Sequence, residues 1–570
     1  MNGAEFLVRE LERRGVSHVF ELVGGMITFL IDAFHAHTDI QVVSMHHEQG
    51  AGFAAEGFGR MNAAPGVALA TSGPGATNLL TAIGSCFFDS TPTIFVTGQV
   101  NRAELKGDRK IRQLGFQETD IVSMARPITK MAEMVTDPAS LQETLDRAFR
   151  TAMSGRPGPV LIDIPMDVQR AEIAPREILA DVRERPRVSL TPFWNNIEQA
   201  LRAAKRPLIL AGGGIRSARA AELFREFVKK LQIPVVHSLL GVDALAGDDP
   251  YRVGLIGSYG NRWANIAISE SDFLLVLGSR LDVRQTGSDV LGFKANRQIF
   301  HVDCEEGEMN NRVTDCETLV CDLREFLGYA VERVEPFLSV EDWAQRISEL
   351  RDAWPDFAEA RETQGINPNE LMHKLSRAAS LAAAYVVDVG QHQQWAAQSL
   401  QLGAHQRFLT SGGMGAMGFA LPAAIGSSFA TGDQVVVVAG DGGFQLNIQE
   451  LQTVVRNNLP VKIIVLDNGC HGMVRQFQEA YFSERYHSTM WGYNSPDFEK
   501  VALAYGMPSA TISDAVNLGE GLSKCFADPD HPYLLVVKID SSANAYPKLA
   551  FGRSISEMEP LVSPLEMEGT

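Results

Sequence analysis

The chain has no Cys-x-x-Cys pair, no apolar run of membrane-spanning length and no excess of positive charge. Its six cysteines, Cys86, Cys304, Cys316, Cys321, Cys470 and Cys525, are scattered and mostly flanked by apolar residues, which suits reduced, buried thiols and excludes a disulfide framework. A transmembrane helix needs ~20 consecutive apolar residues, and no stretch approaches that. The first residues lead into a charged amphipathic helix and not into a signal sequence, so cytoplasmic residence is expected. With 51 Lys and Arg against 69 Asp and Glu, the net charge is −18, which argues against nucleic acid or an anionic membrane as a partner. Any anionic substrate must therefore be held by local charge. No low-complexity tract or short-period repeat is present.

What remains is a chain of 570 residues, 45% hydrophobic, enough for about three domains of ~100–200 residues each. Short apolar runs such as Val67-Ala68-Leu69-Ala70, Thr93-Ile94-Phe95-Val96 and Pro207-Leu208-Ile209-Leu210 alternate with helical patterns throughout. That alternation predicts an α/β protein of three doubly wound parallel sheets. The expected blocks are residues 1–170, 190–335 and 365–550, with a tail at 551–570. A Pro-rich, charged linker is expected at about Glu172 to Asn195, and a second charged, helical segment from Glu341 to about Asn369.

Gly440-Asp441-Gly442 is followed, after a helix-length gap, by Asp467-Asn468. Each lies at the end of a β-branched, apolar run, Val435 to Ala439 and Val461 to Leu466, as expected of strands buried on both faces. Between them Ile448, Leu451, Val454 and Val455 recur at helical spacing, predicting a crossover that lays the two strands side by side. Asp441 and Asn468 then face one crevice at the carboxyl edge of the sheet, where open α/β folds bind ligands. Mg²⁺ prefers hard oxygen ligands, and Asp441, Asn468 and the carbonyl of Cys470 offer three. Gly442 and Gly443 let phosphate oxygens approach the chain at the start of a helix. An ordinary strand–turn–helix connection would use the same Gly and Asp residues, and only the second strand end in crossover register speaks against it.

Beyond this motif stand Glu48 in His47-Glu48-Gln49-Gly50-Ala51, the run Ser72-Gly73-Pro74-Gly75-Ala76-Thr77-Asn78, Asp388-Val389-Gly390-Gln391-His392-Gln393, and Ser411-Gly412-Gly413-Met414-Gly415-Ala416-Met417-Gly418. Together these resemble the thiamine diphosphate (ThDP) enzymes, in particular the acetohydroxyacid (acetolactate) synthase branch, over nearly the whole chain. The resemblance implies a pyrimidine-binding first block, a central FAD-type block and a diphosphate-binding third block. Glu48 follows the strand Ile40-Gln41-Val42-Val43 and starts a small-residue helix, so it is the candidate acid/base on the cofactor's pyrimidine ring; a helix-start carboxylate opposing the macrodipole is the plainer alternative. The resemblance further implies that Met417 wedges the cofactor into a V, that Gly415 offers it a carbonyl, that Met473 packs near its thiazolium ring, and that Gln391 and His392 bind its diphosphate with Gly440, Gly442 and Gly443. For the methionines, core filler is the competing role.

Phe116, Gln117 and Lys130 match positions lining the donor and acceptor pocket, with pyruvate the expected 2-oxo acid donor. FAD is expected through Gly212-Gly213-Gly214 and Arg284, a guanidinium suited to a carboxylate or phosphate. Departures from the family pattern cluster at the acceptor side: Phe477 stands for a Trp, Met26 closes an altered N-terminal turn, Arg112-Gln113-Leu114-Gly115 replaces the usual segment, His471 replaces a Leu, and Val283 follows Asp282 where the pattern has a second Asp. They point to an altered acceptor pocket. The resulting expectation is a ThDP- and Mg²⁺-dependent carboligase acting as a homo-oligomer with active sites at the subunit interface; a regulatory subunit is unspecified. A carboligase with a ketone, aldehyde or keto-sugar acceptor, a flavin-dependent pyruvate oxidase and a non-catalytic scaffold are the alternatives. The segment from Tyr546 to Arg553 is expected to close over the site.

Overall fold

The structure is a computed structural model that describes residues 1–565 apart from 63, 175–188, 338–340 and 361–362. The described residues form three six-stranded parallel sheets and one short antiparallel pair, Lys548–Leu549 with Met558–Glu559. The first holds β1 (His18–Leu22), β2 (Gln41–Ser44), β3 (Gly66–Ala70), β4 (Thr93–Gln99), β5 (Met131–Met134) and β6 (Pro159–Pro165), in the order β2-β1-β3-β4-β6-β5. The second holds β7 (Pro207–Ala211), β8 (Val235–His237), β9 (Arg252–Leu255), β10 (Phe273–Leu277), β11 (Gln298–Asp303) and β12 (Glu317–Val320), in the order β12-β11-β10-β7-β8-β9. The third holds β13 (Ala384–Val387), β14 (Arg407–Leu409), β15 (Val435–Gly440), β16 (Val461–Asp467), β17 (Ser509–Ile512) and β18 (Tyr533–Lys538), in the order β14-β13-β15-β16-β18-β17. Counted from its own first strand, the third sheet repeats the order of the first.

Every residue of β3, β4, β6, β15 and β16 is buried, as it must be where helices cover both faces of a parallel sheet. The first and third sheets share one apolar cluster, because the helix Glu48–Met61 lies directly against the helix Ala420–Thr431. Small residues make that crossing possible. A Cβ at Gly57 would stand 2.1 Å from the Ala423 carbonyl oxygen, and one at Gly426 would stand 1.8 Å from that of Ala54. Close backbone contact thus fixes the helix begun by Glu48 against the helix that follows Met417.

The structure alters or extends the sequence expectations in four places. The crossover between β15 and β16 is a broken helix, Asp441–Leu446 then Leu451–Arg456 with a tighter turn between, since Asn447 turns its amide to Gly418 O (2.8 Å) and Gln49 Oε1 (3.1 Å). Residues 175–188 of the expected linker lie outside the described residues, and its last part is helical from Thr191 onward, where Phe193, Trp194 and Ile197 bury one face. The segment after Glu341 forms a helix only to Ala353, and Trp343 anchors it by donating to Pro207 O at 3.1 Å. The stretch near Tyr546 to Arg553 packs on the central block, where Leu549 N donates to Ser258 O at 2.8 Å. Of the six thiols, five are buried and Cys304 is half-buried; none is in a disulfide. Among the described residues, no helix is long and apolar enough to cross a membrane.

Candidate active site

Asp441 and Asn468 do sit side by side at the carboxyl edge of the third sheet, because β15 and β16 are adjacent and in register from Val435 with Val461 to Gly440 with Leu466. Asp441 is buried, and among the described residues no salt bridge pairs it with a cation. Burial, reinforced by the neighbouring Asp467, pushes its carboxyl up to about 7, and the hydroxyl of Tyr493, 3.1 Å from Oδ2, opposes that only in part. Asp467 in turn is paired with Lys538. Cys470 N donates to Asn468 Oδ1 at 3.2 Å, which folds the turn so that the amide and the main chain of Cys470 converge. Among the described residues no group of three His, Cys, Asp or Glu side chains could hold a metal; this set has one carboxylate, one amide and one carbonyl, which suits Mg²⁺ sharing its shell with water and phosphate.

The cradle beside it depends on missing Cβ atoms. One at Gly442 would meet His471 Cε1 at 2.6 Å, and one at Gly443 would meet Asp388 Oδ1 at 2.7 Å. Asp388 is fully buried, its carboxyl pushed up to about 6 by burial. It accepts from Gly418 N and Ala420 N, each at 3.0 Å, and so ties down the loop that carries Gly415 and Met417. Gly415 has φ of 67° and Gly418 of 82°, conformations that favour glycine.

Gln391 and His392 are beside the cradle, each hydrogen-bonded to a residue of the site. Gln391 Nε2 donates to Gln476 Oε1 (3.1 Å) and Ala543 O (2.9 Å), while its Oε1 receives Asn468 Nδ2 at 3.4 Å. His392 accepts Gly440 N at 3.3 Å, and burial pulls its ring down to about 3, so it is neutral. Met473 lies half-buried on the helix Gly472–Tyr481, and Phe477, on the same helix, is exposed against Tyr481 with ring centroids 4.8 Å apart.

On the first sheet Glu48 starts its helix as expected and is 7% exposed. Its Oε2 accepts from Asn78 Nδ2 at 2.9 Å, and a Cβ at Gly75 would lie 3.2 Å from its Oε1. Gln117 packs on Gly73 and holds φ of 64°, a strained value for a residue with a side chain. Phe116 beside it is 79% exposed. Met26 sits over the ends of β3 and β4, its N donating to Thr71 Oγ1 at 3.2 Å and its carbonyl receiving Gln169 Nε2 at 2.8 Å. Lys130 is not brought to this edge. It precedes β5, at the amino end of the strands, and its Nζ donates to the carbonyls of Thr151 and Ser154 at the end of the helix Leu141–Met153. Within one chain, no hydrogen bond or ion pair among the described residues joins Glu48 to Asp441, Asn468 or Met417.

A third feature is a cavity of about 710 Å³ bordered by Gly213, Gly214, Arg280, Arg284, Asp303 and Arg407. Cβ atoms at Gly212 and Gly214 would meet Gly278, at 2.0 Å to its O and 2.6 Å to its Cα, so these glycines let two turns touch. Asp282 accepts from Arg284 N at 2.9 Å and starts the short turn that presents Arg284.

Comparison with known proteins decides the family. The N-terminal TPP binding domain of the thiamine pyrophosphate enzymes matches residues 1–124, the central domain 195–329 and the C-terminal TPP binding domain 388–537. The chain belongs to the thiamine pyrophosphate enzymes. Among similar proteins, the acetolactate synthase isozyme 2 large subunit of Escherichia coli K12 is 37% identical, over 98% of this chain and 99% of its own length. The acetolactate synthase large subunits of Pyropia yezoensis, 35% identical over 99% of this chain and 96% of its own, and of Lactococcus lactis, 33% over 98% and 96%, are similar throughout. The glycine-lined cradle of the third sheet and the buried Asp441 beside it lie within the segment matched by the C-terminal TPP binding domain. Sequence reasoning missed Tyr493 because it falls in an irregular stretch with no motif around it. It quoted Asn78 and Asp388 within longer motifs without a role, although each is polar where its neighbours are small or apolar.

Proposed function

We propose that this chain decarboxylates pyruvate and ligates the two-carbon unit to a second 2-oxo acid, giving acetolactate when that acceptor is pyruvate. One observation carries the reading: a carboxyl at the edge of the first sheet and a metal-type crevice at the edge of the third are set by helices in direct backbone contact. Bound thiamine diphosphate supplies the carbanion chemistry that releases CO₂ and forms the carbon–carbon bond. Glu48 moves the proton at the pyrimidine ring, and Asn78, donating to Oε2, leaves Oε1 available for it. Asp441, Asn468 and the Cys470 carbonyl hold Mg²⁺. Gly440, Gly442 and Gly443 admit the diphosphate, with Gln391 and His392 shaping its wall. Gly415 and Met417, on a loop fixed by Asp388, would hold the pyrimidine side of the cofactor. Met473, half-buried on the helix Gly472–Tyr481, would line the thiazolium side.

Gln117 and Phe116 bind the donor, and Met26, Phe477 and Arg284 surround the acceptor. The acetolactate synthases named above favour this over the keto-sugar ligase and the oxidase. FAD fits the central cavity, whose glycine turn and Arg284 suit a dinucleotide. We assign residues 1–170 to pyrimidine binding, 190–335 to FAD, 365–550 to diphosphate and Mg²⁺, and 551–570 to a tail. A homo-oligomer completes the site, a reading supported by Phe116, Leu446, Val474 and Phe477, large apolar residues left exposed. Glu48→Gln tests the reading: folding and cofactor binding should persist while CO₂ release from labelled pyruvate falls by ~10²-fold or more, as loss of a general acid/base requires. Near-normal turnover would sink it.

A further inference from the structure

We propose that Tyr493 is a positioning residue for the metal carboxylate of Asp441, holding it to bind Mg²⁺ through one oxygen. The inference rests on Asp441 being the metal ligand. Tyr493 Oη lies 3.1 Å from Asp441 Oδ2 and 3.3 Å from Gln445 Nε2. An amide nitrogen can only donate, so Gln445 occupies an acceptor position on the hydroxyl and leaves its one proton for Asp441; an ionised carboxylate can only accept. In the ionised, metal-binding form the direction of the bond is therefore fixed, and Oδ2 carries the Tyr493 bond while Oδ1 has no side-chain hydrogen bond among the described residues.

The tyrosine is itself held. The His471 ring packs on it with centroids 4.3 Å apart, and His471 N donates to Thr489 O at 3.1 Å, pinning the stretch that leads to Tyr493. Gly442 admits the pair, since a Cβ there would meet the His471 ring at 2.6 Å and stand 3.4 Å from Tyr493 Oη. Mg²⁺ demands near-octahedral geometry and gains from a carboxylate locked in single-oxygen coordination, whereas Ca²⁺ tolerates one- or two-oxygen binding at longer range. Hydrogen-bond partners of ligating carboxylates orient the ligand, and their loss typically lowers metal affinity ~10–100-fold.

Tyr493→Phe keeps the ring on His471 and removes only the hydroxyl. Metal-stripped full-length protein at saturating thiamine diphosphate is titrated with Mg²⁺ and separately with Ca²⁺, followed by calorimetry. Tyr493→Phe should raise the Mg²⁺ Kd by ~10-fold or more and the Ca²⁺ Kd by less than about threefold, with the metal-free melting temperature unchanged. A Mg²⁺ Kd within about twofold of the parent, or equal losses for both cations, overturns the proposal. If the parent binds neither cation, the assignment of Asp441 as metal ligand fails, and this inference with it.

Discussion

Gly57→Ala adds a single methyl group to the helix crossing that ties the Glu48 helix to the third sheet. Its Cβ would stand 2.1 Å from the Ala423 carbonyl oxygen, 2.8 Å from that carbonyl carbon and 2.9 Å from the Ala423 Cα, all backbone atoms that no rotamer change can move. Carbon–oxygen contacts settle near ~3.3 Å or beyond, so the helices must part by about 1 Å. Overpacking a close-packed contact costs ~1–3 kcal/mol, and this overlap belongs at the upper end. Alanine returns ~1 kcal/mol through helix propensity, leaving a net loss of about 2 kcal/mol. Gly328, in the helix Leu323–Val331, is the control: a Cβ there meets nothing within 4 Å, so Gly328→Ala should stabilise by ~0.5–1 kcal/mol. The same chemical change thus carries opposite signs at two helical sites. Thermal melting of the three proteins reads the stability, and thiamine diphosphate titration reads the consequence for the loop before Ala420. Gly57→Ala should melt lower and bind the cofactor more weakly. If Gly57→Ala melts at or above the parent, the account of this crossing is wrong.

Asp163 is fully buried, accepts from Thr97 Oγ1 at 2.7 Å and Gln99 Nε2 at 2.9 Å, and burial pushes its carboxyl up to about 7. A carboxyl whose folded value exceeds its unfolded one favours folding in the protonated form, so its stabilising contribution is full below the unfolded value near ~3.9 and is lost as pH rises toward 7. Urea unfolding of Asp163→Asn should be flatter than the parent between pH 4 and 7 and show higher stability at pH 8; parallel curves would contradict this. Lys130→Met should lower stability by ~1–2 kcal/mol, through loss of its charged hydrogen bonds to Thr151 and Ser154, and leave KM for pyruvate unchanged in steady-state assays. A large rise in KM would return Lys130 to the substrate pocket.

The strands flanking Asp441 and Asn468 were legible because burial on both faces leaves a continuous β-branched run, and the crossover follows from the handedness of parallel connections. Glu48 was legible for the same reason, as the first charged residue after a strand and before a run of small residues. The common strand order of the first and third sheets was not, because order depends on which strands pair across long separations and leaves no local pattern. Resemblance alone puts Lys130 at the pocket, whereas the register of β5 with β6, Met131 opposite Val160, sets it at the far end of the sheet. Asn447 interrupts the crossover helix for a tertiary reason, its bonds to Gly418 and Gln49, which periodicity cannot see. Tyr493 reaches Asp441 from 52 residues away through an irregular stretch.

The most direct test of the whole account is to give the purified protein ¹³C-labelled pyruvate with thiamine diphosphate and Mg²⁺, and to measure CO₂ and the products by mass. The account predicts acetolactate with one CO₂ released for every two pyruvates consumed, dependent on both additions and lost in Glu48→Gln. Absence of CO₂ release, or CO₂ accompanied by acetate and peroxide without a new carbon–carbon bond, would contradict it.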